Sequence, residues 1–382
     1  MKSSKTMILG AFALIATILS CTQGTEVPKI DSLKDVFEGK FYVGAALNPS
    51  QYTEADTASV RIIKKHFNSI TAENAMKSVN IHPAEDTFNF ELPDKFVEFG
   101  EKNNMWIIGH TLVWHSQAPK WLFVDDEGND VYRDELIDRM KTHIQTVVGR
   151  YKGRVHGWDV VNEAFEGNGA WRKSKFYEII GEDYFKMAFQ FAAEADPNAE
   201  LYYNDYGMNS PGRRDSVAKV IKELKDSGIK IDGIGMQAHV HMNHPTIEEF
   251  EKSVLAFAGT GCKVMITEWD MNVLPRRNFG ITADVAATEE YQASLNPYVD
   301  GLPDSVQNVF DSKHKEFFDL FVKHSDKISR FTTWGVADHH SWKNGWPIPG
   351  RTNYPLLFDR NYQPKPIVDL LIENANKSEN LK

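Results

Sequence analysis

The sequence predicts an α/β fold, a (β/α)8 TIM barrel in a single domain, and three observations carry that prediction. Short apolar runs alternate eight times with amphipathic helical stretches along the 382 residues, the pattern of a parallel sheet wrapped by helices. From about residue 32 onward no Pro/Gly/Ser-rich linker, repeat or sustained charge block divides the chain. The first strand-to-turn segment, FYVGAALNPSQ, lacks the Gly-rich turn expected of an open doubly wound sheet.

The strand-like runs are FYVGAA (41–46), SITA (69–72), MWIIGH (105–110), VHGWDVV (155–161), ELYYN (200–204), DGIGMQA (232–238), KVMIT (263–267) and RFTTWGV (330–336). Between them, ADTASVRIIKKHF, RDELIDRMKTHIQTVVGRY, FYEIIGEDYFKMAFQFAAEA, RRDSVAKVIKELKDSG and TIEEFEKSVLAFA repeat apolar residues at three and four, a helical spacing. Gly228 is a plausible helix stop. Residues 272–304, with Pro275 and Pro297, read as a long excursion before the helix SVQNVFDSKHKEFFDLFVKH. The barrel is expected over 32–376 and a polar tail over 377–382, with fraying from just after Ile372.

Hydrophobic residues make up 42 % and charged residues 25 % of the chain, which excludes a disordered, collagen-like or polytopic membrane protein. A formal net charge of -10 argues against nucleic acid or an anionic lipid surface as the main partner. Cys21 and Cys262 cannot build a disulfide framework, and Cys262 reads as a buried thiol. Lys2 and Lys5 precede the run MILGAFALIATILS, so residues 1–20 read as an export signal too short for a membrane span. Its end, Ile18-Leu19-Ser20-Cys21, resembles the lipobox of bacterial lipoproteins. Cys21 is therefore the expected lipidation site and 21–31 a tether; an ordinary signal peptide cut a few residues later is the alternative. The expected product is exported and touches a membrane only through its lipid anchor, facing the periplasm or the cell surface. A monomer is expected.

Catalytic groups of such barrels come from the C-terminal ends of several strands. Past the successive runs stand Glu73, Asn74 and Lys77; His110, Trp114, His115 and Gln117; Asn162 and Glu163; Asn204, Asp205 and Tyr206; Gln237 and His239; Glu268 and Asp270; and Trp334, Asp338, His339 and Trp342. Any one of them could be a solvated loop residue. Together they make one barrel face a site. Glu163 and Glu268 end the most apolar strands, and paired carboxylates across a barrel mouth suit glycoside hydrolysis, one protonating the leaving oxygen while the other attacks or activates water. Trp114, Trp334 and Trp342 offer flat faces on which sugar rings stack.

The motifs TAENAMK, GHTLVWHSQAPKWL, WDVVNEAF, DPNAELYYNDYGMN, GIGMQAHV, ITEWDM and WGVADHHSW occur in that order. From about residue 34 to 372 the chain resembles the family-ten glycoside hydrolases, chiefly endo-β-1,4-xylanases. The resemblance implies a retaining mechanism with Glu163 as acid/base, Glu268 as nucleophile, and no metal or organic cofactor. It implies that Glu73, Asn74, Lys77, His110, Trp114, Gln117, Asn162, Gln237, His239, Trp334 and Trp342 hold sugars or tune the carboxyl groups, with Tyr206 on the leaving-group side. Xylan and xylo-oligosaccharides are the implied partners, without nucleic acid. In a retaining enzyme the carboxyl groups stand about 5–5.5 Å apart; Glu163 should begin protonated and Glu268 ionised, with His239 stabilising that anion.

Trp269 stands where the family commonly has Leu, so packing behind the seventh barrel strand should differ. Three other readings compete. The pair His239 and His241, one face of a strand by alternation, would suit a metal-dependent hydrolase, although converging ligands from several strands are wanting. A barrel that binds glycan with little turnover is a second. The same mechanism on another β-1,4-glycan is the third, with Glu73, Asn74 and Lys77 deciding the fit around C5.

Overall fold

The computed structural model describes residues 29–275 and 290–379. The expected signal 1–20, Cys21 with most of the tether, the middle of the 272–304 excursion and the last three residues lie outside the described residues.

All eight expected strand runs form strands: β1 (Tyr42–Leu47), β2 (Ser69–Ala72), β3 (Trp106–Trp114), β4 (Gly157–Asn162), β5 (Glu200–Asp205), β6 (Gly233–Met236), then β8 (Lys263–Asn272) and β9 (Ile328–Thr333). Each is parallel to its neighbours. The sheet closes where β6 pairs with β8, β8 with β9, and β9 with β1, so the fold is a barrel and not an open sheet. A short ninth strand, β7 (His239–His241), pairs only beyond the barrel, with His239 opposite Asp270 on the upper end of β8.

Alternation divides each strand between two environments. Ile70, Ile107, Trp158, Val160, Leu201, Tyr203, Ile234, Val264, Ile266 and Phe331 join the helices in one large apolar cluster. Ile108, Tyr202 and Met265 form a separate cluster inside the barrel. The helices begin where the local chemistry allows. Asp56 accepts from Ser59 N (3.1 Å) at the start of Thr57–His66, and Thr246 with Glu249 closes a reciprocal cap on Ile247–Ala258.

Two expectations need amendment. The pattern FYEIIGEDYFKMAFQFAAEA is two helices, Lys175–Ile180 and Asp183–Ala195, because Gly181 adopts φ +85° and breaks the ladder. Residues 373–379 do not fray: helix Pro366–Glu379 runs through them. Asn376 ties that helix down, accepting from Ile30 N (3.0 Å) and donating to Ile30 O (2.7 Å), a long-range contact invisible to local composition. The return leg of the excursion packs on the loop before that helix, through Asn296 accepting from Thr352 N (2.9 Å) and Tyr354 donating to Tyr298 O (2.8 Å).

Trp269 fills the space behind the strand that carries Glu268. It is fully buried against Phe317, Phe321 and Phe331, and its Nε1 donates to His314 Nε2 (3.0 Å). His314 in turn gives its Nδ1 proton to Phe310 O (2.9 Å), and burial pushes its pKa down to about 3, so it is a neutral acceptor.

Candidate active site

β4 and β8 deliver Glu163 and Glu268 to the mouth, and in both the register shifts near the carboxylate, between Asp159 and Val161 in β4 and across Thr267 and Glu268, between Ile266 and Trp269, in β8. Such irregularities re-aim a side chain. Glu163 also takes a left-handed backbone, φ +59°, which costs energy for a residue with a Cβ. It is held there by its own N–H donating to Asn204 O (2.9 Å) and by Arg172 Nε donating to its carbonyl (2.7 Å).

Both carboxyl groups are buried, with 7 % of Glu163 and 5 % of Glu268 exposed, and each has its own donors. Gln237 Nε2 donates to Glu163 Oε1 (3.0 Å), and His115 Nδ1 lies 3.9 Å from Glu163 Oε2. Asn204 Nδ2 donates to Glu268 Oε1 (2.8 Å), and His239 Nε2 lies 3.1 Å from Glu268 Oε2. Thr267 Oγ1 donates to Asn204 Oδ1 (2.6 Å), which turns the amide nitrogen of Asn204 toward Glu268. Asn162 sits between them, its amide oriented to accept from Trp114 Nε1 (3.2 Å) and donate to Asn204 O (3.1 Å).

His239 spans two carboxylates, because its Nδ1 lies 2.9 Å from Asp270 Oδ2. Burial works against its charge, but Asp270 and the hydrogen bonds to Asp270 and Glu268 win, lifting its pKa to about 9. It is an imidazolium at neutral pH. Burial likewise opposes ionisation of Glu268, yet the His239 bond, the fields of His110 and His239 and the Asn204 bond hold its pKa below the ordinary carboxylate value. Asp270 is ionised too, because His239, Lys343 Nζ at 3.2 Å and Trp342 Nε1, donating at 2.8 Å, outweigh its burial.

On the β2–β3 side, Lys77 Nζ donates to Asn74 Oδ1 (2.8 Å) and Gln117 Oε1 (3.0 Å) and stands 5.1 Å from the Trp114 ring centroid. Burial lowers its pKa, against the pull of Glu268, Glu73 and Glu163. Burial raises that of Glu73, with Lys77 and Asn74 opposing. His110 meets Trp334 edge-on (5.2 Å) and gives its Nδ1 proton to Asp159 Oδ2 (2.9 Å), while Trp342 meets His239 edge-on (5.1 Å). Tyr206 is joined through Arg172, which donates to its hydroxyl (3.1 Å) and to the Glu163 carbonyl.

The fold brings Glu73, Asn74, Lys77, His110, Trp114, Gln117, Asn162, Glu163, Tyr206, Gln237, His239, Glu268, Trp334 and Trp342 to this one face. Two strand-end candidates turn elsewhere. Asp338 pairs with Lys365 (2.9 Å) and His339 with the Tyr362 hydroxyl (3.0 Å), both structural contacts with the chain's last segment. Sequence reasoning missed Arg172, for which no local signal exists, and Lys343, which follows Trp342 unremarkably. It also left Asp159 and Asp270 without a role, although alternation with Glu268 places Asp270 on the same side of β8. The nitrogens of His239 face two carboxylates and His241 Nε2 bonds Leu274 O (3.0 Å). Among the described residues no cluster of three or more His, Cys, Asp or Glu side chains could hold a metal ion.

A closed parallel barrel whose C-terminal mouth holds two buried carboxyl groups with separate donor sets, beside three tryptophans, defines the class of carboxylate-pair glycoside hydrolases. Residues 32–374 match the model of Glycosyl hydrolase family 10, and the chain belongs to that family. It is 50 % identical over 343 residues to endo-1,4-beta-xylanase A of Xylanibacter ruminicola, covering 90 % of this chain and 93 % of that protein. With an endo-1,4-beta-xylanase of Geobacillus stearothermophilus it shares 40 % over 339 residues, 88 % of this chain and 96 % of the relative. Among solved structures, a family-10 endoxylanase from a sugarcane soil metagenome superposes with a TM-score of 0.85 at 43 % identity, covering 90 % of this chain and 99 % of that one.

Proposed function

We propose that the protein is an endo-acting, retaining glycoside hydrolase that cleaves internal β-1,4-xylosidic bonds of xylan and xylo-oligosaccharides by double displacement. The observation that carries this reading is the unequal setting of the two carboxyl groups: Glu268 bonds to an imidazolium and an amide, whereas Glu163 meets an amide and only a distant imidazole. Glu268 attacks the anomeric carbon while Glu163 gives its proton to the departing glycosidic oxygen, leaving a glycosyl ester on Glu268 and Glu163 as a carboxylate. Water then attacks the same carbon, Glu163 takes its proton, and Glu268 is released as the anion. Asn162, between the two strand ends, is in place for the sugar 2-hydroxyl, and Trp114, Trp334 and Trp342 for ring stacking. Lys77, Asn74 and Gln117, already bonded together, are groups that would bind sugar hydroxyls.

The test compares initial rates on soluble xylan, mixed-linkage β-glucan and carboxymethylcellulose, with proton NMR of the first product. Xylan should be preferred and the new reducing end should appear as the β-anomer. Preference for a glucan, or an α-anomer formed first, would replace this reading.

The chain's beginning supports a second proposal: export and anchoring through lipidated Cys21, with a monomeric catalytic barrel on the periplasmic or outer surface. Lys2, Lys5, the apolar run and Leu19-Ser20-Cys21 support it. Labelling with an alkyne fatty acid should mark the wild type and not Cys21→Ser; equal labelling of both would reject it.

A further inference from the structure

Beside the Ile108, Tyr202 and Met265 cluster, part of the interior of this barrel is polar, where such barrels are ordinarily filled by layers of branched apolar side chains. Ile70, Ile107, Val160 and Phe331 face the helices, so Ser69, Thr71, Asp159, Arg330 and Thr332 face the axis. All five are at most 3 % exposed. Ser69 Oγ, Thr71 Oγ1, Asp159 Oδ1, both Nη atoms of Arg330 and Thr332 Oγ1 make no hydrogen bond to protein. Buried polar groups are almost always paired, and an uncompensated buried charge costs several kcal/mol. Arg330 cannot escape by neutralising itself, since a guanidinium keeps its proton.

Its counter-charge can be found by elimination. The Arg330 guanidinium lies 5.5 Å from the Tyr202 ring centroid, and Tyr202 stands in register with Asp159 on the next strand. Glu200, the other carboxylate near Tyr202, is already occupied by the Tyr202 hydroxyl (2.7 Å) and Lys263 (2.6 Å). Asp159 has Oδ2 on His110 and Oδ1 without a protein donor. Gly44 is in register with Ser69 on β2 and with Thr332 on β9, which sets these two hydroxyls at one level of the barrel. Hydroxyls that donate and accept are the natural lining for water.

We propose that a chain of ordered water molecules inside the barrel joins Arg330 to Asp159, and that Arg330 thereby acts as a positioning residue for His110 and the nucleophile side of the site. The route is Arg330, water, Asp159, His110, whose field helps to hold Glu268 ionised. The charged groups bearing on Glu268 are His239 from β7, His110 from β3 and Lys77 from the loop after β2, with Glu163 opposite and Asp270 and Lys343 behind His239. Asp159 bonds His110, and Arg330, Glu200 and Asp159 all bear on Tyr202, its register partner on β5. Removing the Arg330 charge makes the interior more negative and Glu268 harder to ionise. The proposal rests on Glu268 being the nucleophile, but its structural half does not.

Two measurements test it. A crystal structure of the purified enzyme at about 1.2 Å should show waters within bonding distance of Arg330 Nη and Asp159 Oδ1; a dry interior overturns the proposal. Arg330→Met should move the acidic limb of kcat/KM on an aryl xylobioside to higher pH, by on the order of half a pH unit, while Arg330→Lys leaves it near the wild-type position. A folded Arg330→Met enzyme that loses thermal stability with an unmoved limb shows a merely structural role and overturns it. If Arg330→Met does not fold, Arg330→Gln takes its place under the same criterion. Failure of the Glu268 assignment would show separately, as activity surviving in Glu268→Ala.

Discussion

His239 and Glu268 are joined by a 3.1 Å contact between Nε2 and Oε2 while the far side of the same ring rests on Asp270. An imidazolium clamped in this way supplies positive charge at Glu268 Oε2, while Asn204 donates to Oε1. When Glu268 becomes an ester its charge vanishes and the clamp has only Asp270 to balance.

That relationship has a direct pH consequence. The pKa of Glu268 is held below the ordinary value, so its active form persists as pH falls until that lowered pKa is crossed. His239→Gln keeps a donor but removes the charge. The acidic limb of kcat/KM should then move to higher pH, with a loss at neutral pH of roughly 10–100-fold, measured on an aryl xylobioside to keep leaving-group protonation out of the comparison.

Asp270→Asn acts on the same ring from the other side. Asp270 is the largest influence raising His239, which reaches about 9. Without that carboxylate burial prevails, and His239 should lose its proton at a lower pH. The alkaline limb should retreat toward neutrality, and NMR titration of the His239 ring nitrogens should show the same displacement. An unchanged His239 titration would mean that Glu268 alone maintains the imidazolium.

The acid/base assignment is tested by leaving groups. Glu163→Ala should slow xylan cleavage by roughly 10²–10⁴-fold and cleavage of an aryl xylobioside with an acidic phenol far less. Azide should restore turnover and give a β-glycosyl azide, whereas Glu268→Ala should be inactive on both substrates. Equal losses on both without azide rescue would contradict the role of Glu163.

Trp269→Leu separates packing from chemistry. Trp269 faces the helices while its neighbours Glu268 and Asp270 face the site, so catalysis should be nearly unchanged. Stability should fall by about 2–4 kcal/mol, from the lost ring volume and from the unpaired His314 acceptor. Thermal denaturation alongside kcat/KM reads the two effects independently.

Strand existence was legible because each of the eight expected β runs is a compact apolar segment, and the mouth was legible because polar and aromatic residues follow every run from the second to the eighth. The inward placement of Asp159 and Arg330 was not legible: 171 residues apart in number, they are buried on strands of one barrel only because the sheet closes. The fate of Asp338 and His339 was equally hidden, since their partners Lys365 and Tyr362 come from the chain's last segment.

By itself, then, the order of residues determined the alternating barrel, the strand ends that carry carboxylates and the family to which the motifs belong, because periodicity and motif spacing are properties of neighbouring residues. Tertiary structure alone decided the charge states at the mouth. Whether a buried carboxyl is ionised depends on which cations and donors other strands bring within a few ångströms, and strand register, with its shifts near Glu163 and Glu268, sets that proximity.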